Sequence, residues 1–539
     1  MSICKGCYHL GVQALLLVVV ALCGVLFAGE VKCQTPGHRF TEDSSVQQLK
    51  MKIEALRLSG FELTEVQLVK SGSFTPKATG KTLDHLPSFY LIAATLKPAK
   101  GSLIRMELWM PVESWQGRLL GTGNGGGAGS IIYESLAAGI RKGYATVNTD
   151  MGTSRGGAHG AVDNPDTWID FGYRATHEMT VVAKKLLKAY YGKAAHHAYF
   201  VGCSTGGQQG LMEAQRFPED YDGIIAGAPA NNRTHLHTGF LWNYQATNNG
   251  GEGLFTAAEL AYIATKITDA YAVIAGGAPG DNFLTNPALV RVNFDSLFKS
   301  NAGDTGICLN ETKIAALKKV YAGPVNPRTK EQVYTAPPVG TEHIGGGLST
   351  QQNTASVNGL LYPFKWAFGK DYDYNSFDFD NDLAKLDSML APILNANNPD
   401  LMPFKKRGGK LLMYTGTADP LVPYQDAVHY YERLVAKQHG LKQTQSFFRY
   451  YLIPGMAHCS GGPGLNGFSR NILEDLVDWV EQKKLPEQLM AQSPCMQRPV
   501  YPYPQFPQYK GGAVDSASSY IGVTPKGGSL LIPADTYRR

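Results

Sequence analysis

Short apolar runs alternate with amphipathic helical stretches on both sides of Gly202-Cys203-Ser204-Thr205-Gly206, and this alternation constrains the fold more than any other feature of the chain. Residues 102–111 put Leu103, Arg105, Glu107 and Trp109 on one face and Ile104, Met106 and Leu108 on the other, which is strand periodicity. Runs at 118–121, 145–149, 198–202 and 223–228 also read as strands. Residues 176–191 carry Met179, Val182, Ala183, Leu186, Leu187 and Tyr190 at helical spacing, and a second helix over 205–216 stops before Pro218. Strands that alternate with helices predict an α/β fold, with a mostly parallel sheet covered on both faces.

The rhythm breaks near Asn231 and returns at Gly409. Between them the chain is rich in Gly, Asn, Pro and Thr and carries the aromatics Trp242, Tyr244, Tyr362, Phe364, Trp366 and Phe368. A chain of 539 residues is too long for one core of ordinary size. The expected division is therefore a first α/β part at 30–230, an inserted lid domain at 231–400, and a second α/β part at 401–539. In that second part, 410–414 and 446–453 read as strands and 424–438 and 468–484 as helices. The Pro-, Tyr- and Gly-rich residues after Ser493 read as an irregular tail.

Residues 1–29 read as an export signal: Lys5 precedes an apolar run over 15–20, and Ala21, Gly24, Ala28 and Gly29 offer cleavage sites. A membrane anchor is the alternative, but the run is short for a span and is interrupted by glycines. A secreted or periplasmic protein is expected, with no membrane association once the signal is cleaved. The formal net charge of +5 is small, and its Lys and Arg residues are scattered, so no nucleic-acid partner is expected. With the signal removed, Cys33, Cys203, Cys308, Cys459 and Cys495 remain, an odd number that leaves at least one thiol free or paired elsewhere in an oxidising compartment.

Gly202-Cys203-Ser204-Thr205-Gly206 matches G-x-S-x-G between a strand and a helix. A serine there sits on a sharp turn with its hydroxyl raised above the sheet, and the flanking glycines leave room for the turn. The Thr205 amide then opens the helix where an oxyanion would form. A serine hydroxyl needs a base, and on such a sheet its partners follow in the order acid, then histidine. Asp419 lies just past the 410–414 strand and His458 just past the next, where catalytic groups gather in such folds. Cys203 adjoins the serine and Cys459 adjoins the histidine. A bond between them would tie the two loops together; two inert buried thiols are the alternative.

With these residues in place, the sequence resembles the tannase and feruloyl esterase family, which also includes mono(hydroxyethyl) terephthalate hydrolases. The resemblance covers about 107–509 and rests on Gly123-Asn124-Gly125-Gly126, Asp170-Phe171-Gly172-Tyr173-Arg174-Ala175-Thr176-His177, the elbow extended through Gly207-Gln208-Gln209-Gly210, the stretch from Phe217 to Pro229, Pro399-Asp400-Leu401, Ala418-Asp419-Pro420 and Pro454-Gly455-Met456-Ala457-His458-Cys459. It implies an α/β-hydrolase fold with a large inserted lid domain and a Cys203–Cys459 disulfide. It also implies an oxyanion hole built from Thr205 and either Gly125 or Gly126. Gln208 stands where the family often has Arg, which implies a missing charge near the elbow, and Thr415 and Thr417 stand where His and Trp are common. Tyr501 and Tyr520 stand in for one family cysteine pair, and Cys308 lacks an obvious partner. No cofactor is required; calcium in the lid has only Asp269 and Asp281 as candidates.

The expected activity is hydrolysis of carboxylic esters of phenolic acids, hydroxycinnamic or gallic, free or linked to a plant polymer, through an acyl-enzyme. The alternatives are an esterase for other aromatic or alkyl esters, and a non-catalytic protein binding polyphenol or polysaccharide on the same scaffold.

Overall fold

Successive residues of a strand face opposite sides of a sheet, and in the central strands of this protein both sides are apolar. In the computed structural model, which describes residues 42–153, 157–248, 251–298 and 307–530, Phe200, Ile224, Leu411 and Met413 enter one core while Tyr199, Ile225 and Leu412 enter another. Such strands must be covered on both faces, as expected from the continuous apolar runs.

The chain divides into the units Met1–Ser45 and Val46–Arg539. Of the first, only the opening of the helix Glu42–Glu54 is described, and the signal expected at 1–29 lies outside the described residues. The second is a mixed α/β structure around a nine-stranded sheet. Its strands are β1 (Phe61–Val69), β2 (Phe89–Leu96), β3 (Ile104–Pro111), β4 (Arg118–Thr122), β5 (Ala145–Thr149), β6 (His197–Cys203), β7 (Gly223–Gly227), β8 (Lys410–Gly416) and β9 (Phe448–Ile453). Their spatial order is β1-β2-β3-β5-β4-β6-β7-β8-β9. The pairs at the β1 end, as far as β3–β5, are antiparallel, and all pairs from β5–β4 to β8–β9 are parallel.

The antiparallel edge formed by β1 and β2 was not expected from sequence. Most β1 side chains are exposed or half-buried, so its apolar residues carry no clean alternation.

Between β7 and β8 the described residues form helices joined by loops, among them Arg233–Thr247, Ala257–Tyr271, Glu311–Ala322, Tyr362–Phe368 and Asn381–Leu394. Phe255, Leu260, Ile263, Ile267, Leu317 and Val320 give this stretch an apolar cluster of its own. Leu236, Phe240, Tyr362, Phe364 and Trp366 join the main core instead. Most of the aromatics singled out in this region are thus packing residues: Trp366 stacks on Trp168 and donates to the Ala158 carbonyl.

The residues after Ser493 are not an irregular tail. Leu489–Ser493 pairs with Met496–Val500, and Phe506–Tyr509 pairs with Tyr520–Val523. These strands are short and contain Pro499 and Pro507, which hides them from periodicity. The buried Arg498 from this region pairs with the buried Asp281 at 2.6 Å, fastening the C-terminal strands to the helical segment.

Candidate active site

The turn after β6 has little room for side chains. A Cβ on Gly202 would lie 2.4 Å from the Gly206 carbonyl oxygen, and one on Gly206 would lie 3.1 Å from that of Asn124. Between them Ser204 takes φ +63° and ψ −119°, a conformation that L-residues rarely hold. Such strain costs of order 1–3 kcal/mol and persists only where the surroundings impose it. Here the Ser204 amide donates to the Gly227 carbonyl, and the Ser204 carbonyl accepts from Gln208 and Ala230. The helix Thr205–Arg216 begins at the next residue.

The loop after β4 is pinned against this turn. The Gly206 amide donates to Asn124 O, the Asn124 amide donates to Gln209 Oε1, and the Asn124 side chain donates to the carbonyls of Ser130 and Thr149. Gln209 also donates to Thr176 Oγ1. The motif residues Asn124, Thr176 and Gln209 thus hold the glycine loop in register with the elbow. Among the described residues, the amides of Thr205, Gly125 and Gly126 have no acceptor.

Asp419 follows β8 and is fully buried. Its Oδ1 accepts from the amides of Leu421 and Val422, and its Oδ2 lies 2.8 Å from His458 Nδ1. His458 follows β9. Burial pushes its imidazole pKa down, but the charge and hydrogen bond of Asp419 outweigh that, and the net shift is upward. With Nδ1 donating to the carboxylate, Nε2 carries the lone pair. Cys203 and Cys459 form a disulfide with their Cα atoms 5.9 Å apart, joining the Ser204 turn to the His458 loop across 256 residues. Cys308 and Cys495 are exposed and free.

The cleft at Ser204 is lined by Gly126, Gly127 and Thr205 on one side. Arg233, Leu236, His237, Phe240, Leu360, Tyr362, Leu421 and Val422 complete it. A larger cavity bordered by Arg105, Glu107 and Tyr133 lies elsewhere, and chemistry rather than size selects the Ser204 cleft. Burial, followed by the neighbouring Arg233 charge, lowers the His237 pKa to about 3, so this ring is neutral.

Two expectations need correction. The charge near the elbow is not missing: Arg233 donates to Gln208 Oε1 from both Nε and a terminal nitrogen, at 2.9 and 2.6 Å. Arg233 leaves little trace in the sequence: its only local signal is a cation opening a helix whose first turn has no acidic residue. Nor do Asp269 and Asp281 fit a calcium ion. Asp281 is committed to Arg498 and to the Ala278 amide, while Asp269 is exposed on Ala257–Tyr271. Calcium needs six or more oxygens, which these residues do not supply. His177, Glu213 and Asp220 do bring ligand atoms within 4.8 Å of one another, but His177 Nδ1 is already bonded to Asp220 at 2.6 Å. Burial, then the Asp220 charge, raises the Glu213 pKa well above the usual range, as in a protonated core carboxyl. Two further departures, Thr415 and Thr417, are polar struts: Thr415 bonds the Tyr450 hydroxyl, and Thr417 donates to Leu284 O.

A strained serine between a parallel strand and a helix, with a histidine–aspartate pair on neighbouring strand ends, describes a carboxylic-ester hydrolase, and comparison with known proteins agrees. Residues 92–523 match the tannase and feruloyl esterase family, and the chain belongs to it. An uncharacterized esterase of Xanthomonas campestris is 32% identical over 533 residues, covering 88% of this chain and 91% of the relative. The mono(2-hydroxyethyl) terephthalate hydrolase of Piscinibacter sakaiensis is 30% identical over 508 residues, covering 78% and 82%. The crystal structure of feruloyl esterase B from Aspergillus oryzae superimposes with a TM-score of 0.79 at 25% identity, covering 88% of this chain and 100% of that one.

Proposed function

We propose that this chain is an exported α/β-hydrolase that cleaves esters of phenolic acids, with Ser204 as nucleophile, His458 as general base and Asp419 orienting the histidine. The observation that carries this reading is the Cys203–Cys459 bond, which joins the residue before Ser204 to the residue after a His458 already paired with Asp419. In this mechanism Ser204 Oγ attacks the ester carbonyl while His458 Nε2 takes its proton. Asp419 stabilises the imidazolium, and the proton then passes to the leaving alkoxide. Water hydrolyses the acyl-enzyme by the same route. The free amides of Thr205 and of Gly125 or Gly126 are the oxyanion donors, a role that fits their lack of other acceptors.

The segment 231–400 acts as a lid that selects the acyl group. Leu236, His237, Phe240, Leu360 and Tyr362 from it line the cleft, which suits a flat aromatic acid. Export agrees with the apolar run at 15–20 and with a disulfide at the site. Among the described residues no helix is long and apolar enough to cross a membrane.

The test is hydrolysis of methyl gallate, methyl ferulate, methyl p-coumarate, mono(2-hydroxyethyl) terephthalate and p-nitrophenyl acetate by the mature protein, with Ser204→Ala as control. Turnover of a phenolic ester that vanishes in the variant is expected. Undiminished turnover in Ser204→Ala would defeat the assignment of the nucleophile, and turnover of the nitrophenyl ester alone would defeat the assignment of the acyl group.

A further inference from the structure

Arg233 is the first residue of the helix Arg233–Thr247 and is 3% exposed. Its guanidinium donates to Thr205 Oγ1 at 2.9 Å, to Gln208 Oε1, and to the Tyr362 hydroxyl at 2.6 Å. Thr205 passes the contact on, its hydroxyl donating to the Gly126 carbonyl at 2.7 Å. A continuous chain of donors thus runs from the inserted helix through the side chain of Thr205 to the glycine loop. It joins the two backbone segments whose free amides are the oxyanion donors.

The electrostatics point the same way. A guanidinium stays charged in proteins, and a buried charge is ordinarily paired. Arg233 makes no ion pair among the described residues: its hydrogen-bond partners are a threonine, a glutamine and a tyrosine, and the Phe171 ring lies 5.1 Å away. No carboxylate is among the residues that line the cleft, so no anion there cancels the charge. A fixed positive charge with no permanent counter-ion favours whatever negative charge forms beside it. In ester cleavage that charge is the oxyanion of the tetrahedral intermediate.

We propose that Arg233 is a positioning residue for ester cleavage: through the Thr205 hydroxyl it holds Thr205 and Gly126 in fixed relation, and its unneutralised charge favours the oxyanion between them. The proposal rests on the Ser204 reading given above.

The test compares Arg233→Met, Arg233→Lys and Thr205→Val with wild type. Readouts are p-nitrophenyl acetate kinetics, labelling of Ser204 by a fluorophosphonate to count active sites, and inhibition by a phenylboronic acid, which forms a tetrahedral adduct on the serine. Arg233→Met should lower kcat per labelled site by about 30- to 100-fold with KM within about threefold. Boronate affinity should fall with it. Arg233→Lys keeps the charge and should stay within about tenfold of wild type. Thr205→Val keeps the backbone amide and the arginine, and should lose about tenfold in kcat; it carries the test if Arg233→Met does not fold. Unchanged kcat per labelled site in both Arg233→Met and Thr205→Val, with only the labelled fraction reduced, would mean a merely structural arginine and overturn the proposal. A rise in KM with constant kcat would overturn it as well. A wild-type enzyme that is not labelled at Ser204, with Ser204→Ala still active, would show that the Ser204 reading itself had failed and would take this proposal with it.

Discussion

Cys203 and Cys459 are separated by 256 residues in the chain, yet their Cα atoms lie 5.9 Å apart across a disulfide. One adjoins Ser204 and the other adjoins His458, so the bond joins the turn that strains the serine to the loop that carries the histidine. It lies between the ends of β6 and β9, which are separated in the sheet by β7 and β8.

Removing that bond has two expected consequences. A cross-link closing so long a loop restricts the unfolded chain, and its loss should cost about 2–5 kcal/mol. The double variant Cys203→Ala/Cys459→Ala, followed by denaturant titration, measures this. Drift of His458 relative to Ser204 should lower kcat more than it raises KM. A variant with wild-type kcat would show that the loops are held without the bond.

The Asp419–His458 pair sets a pH dependence. In the proposed mechanism His458 must be neutral to accept a proton, and the net effect of burial and Asp419 is to raise its pKa above its ordinary 6.5. The acid limb of kcat/KM should therefore inflect above pH 6.5, with activity lost as pH falls through it. Asp419→Asn removes the charge that raises the pKa and should move the inflection down. It should also lower kcat by about 10³–10⁴-fold through the wrong imidazole tautomer. An acid limb unmoved by Asp419→Asn would detach this carboxylate from the histidine.

Glu342 makes a separate prediction about stability. It is 1% exposed, and burial raises its pKa to about 7, with hydrogen bonds from Tyr321 and Gly340 only partly offsetting that. The folded state thus binds this proton more tightly than the unfolded chain. The resulting stabilisation is complete below the unfolded pKa near 4.5 and is lost as pH rises through about 7. Glu342→Gln keeps an acceptor for both donors without the buried charge. Relative to wild type it should gain roughly 1–3 kcal/mol at pH 8 and little at pH 5. Melting curves at the two pH values check this, and parallel behaviour of the two proteins would contradict it.

Much of the fold was legible because its signals are local. The strand–turn–helix at Ser204 spans some twenty residues, and within them the apolar run, the spaced glycines and the helical periodicity all agree. Asp419 and His458 could be found because each closely follows an apolar run, and strand ends are where such folds gather polar groups. β1 and the strands after Leu489 were missed for the opposite reason: their burial comes from distant partners rather than from their own pattern.

The sequence by itself determined the α/β alternation and the turn at Ser204, because each is written in short-range spacing, and it set Asp419 and His458 just past apolar runs. Only the tertiary structure decided which distant groups meet. It set Asp281 against Arg498 rather than in a calcium site, and it supplied the elbow's positive charge from Arg233, 25 residues from Gln208. Charge pairing and burial depend on distances in space, and no periodicity along the chain records them.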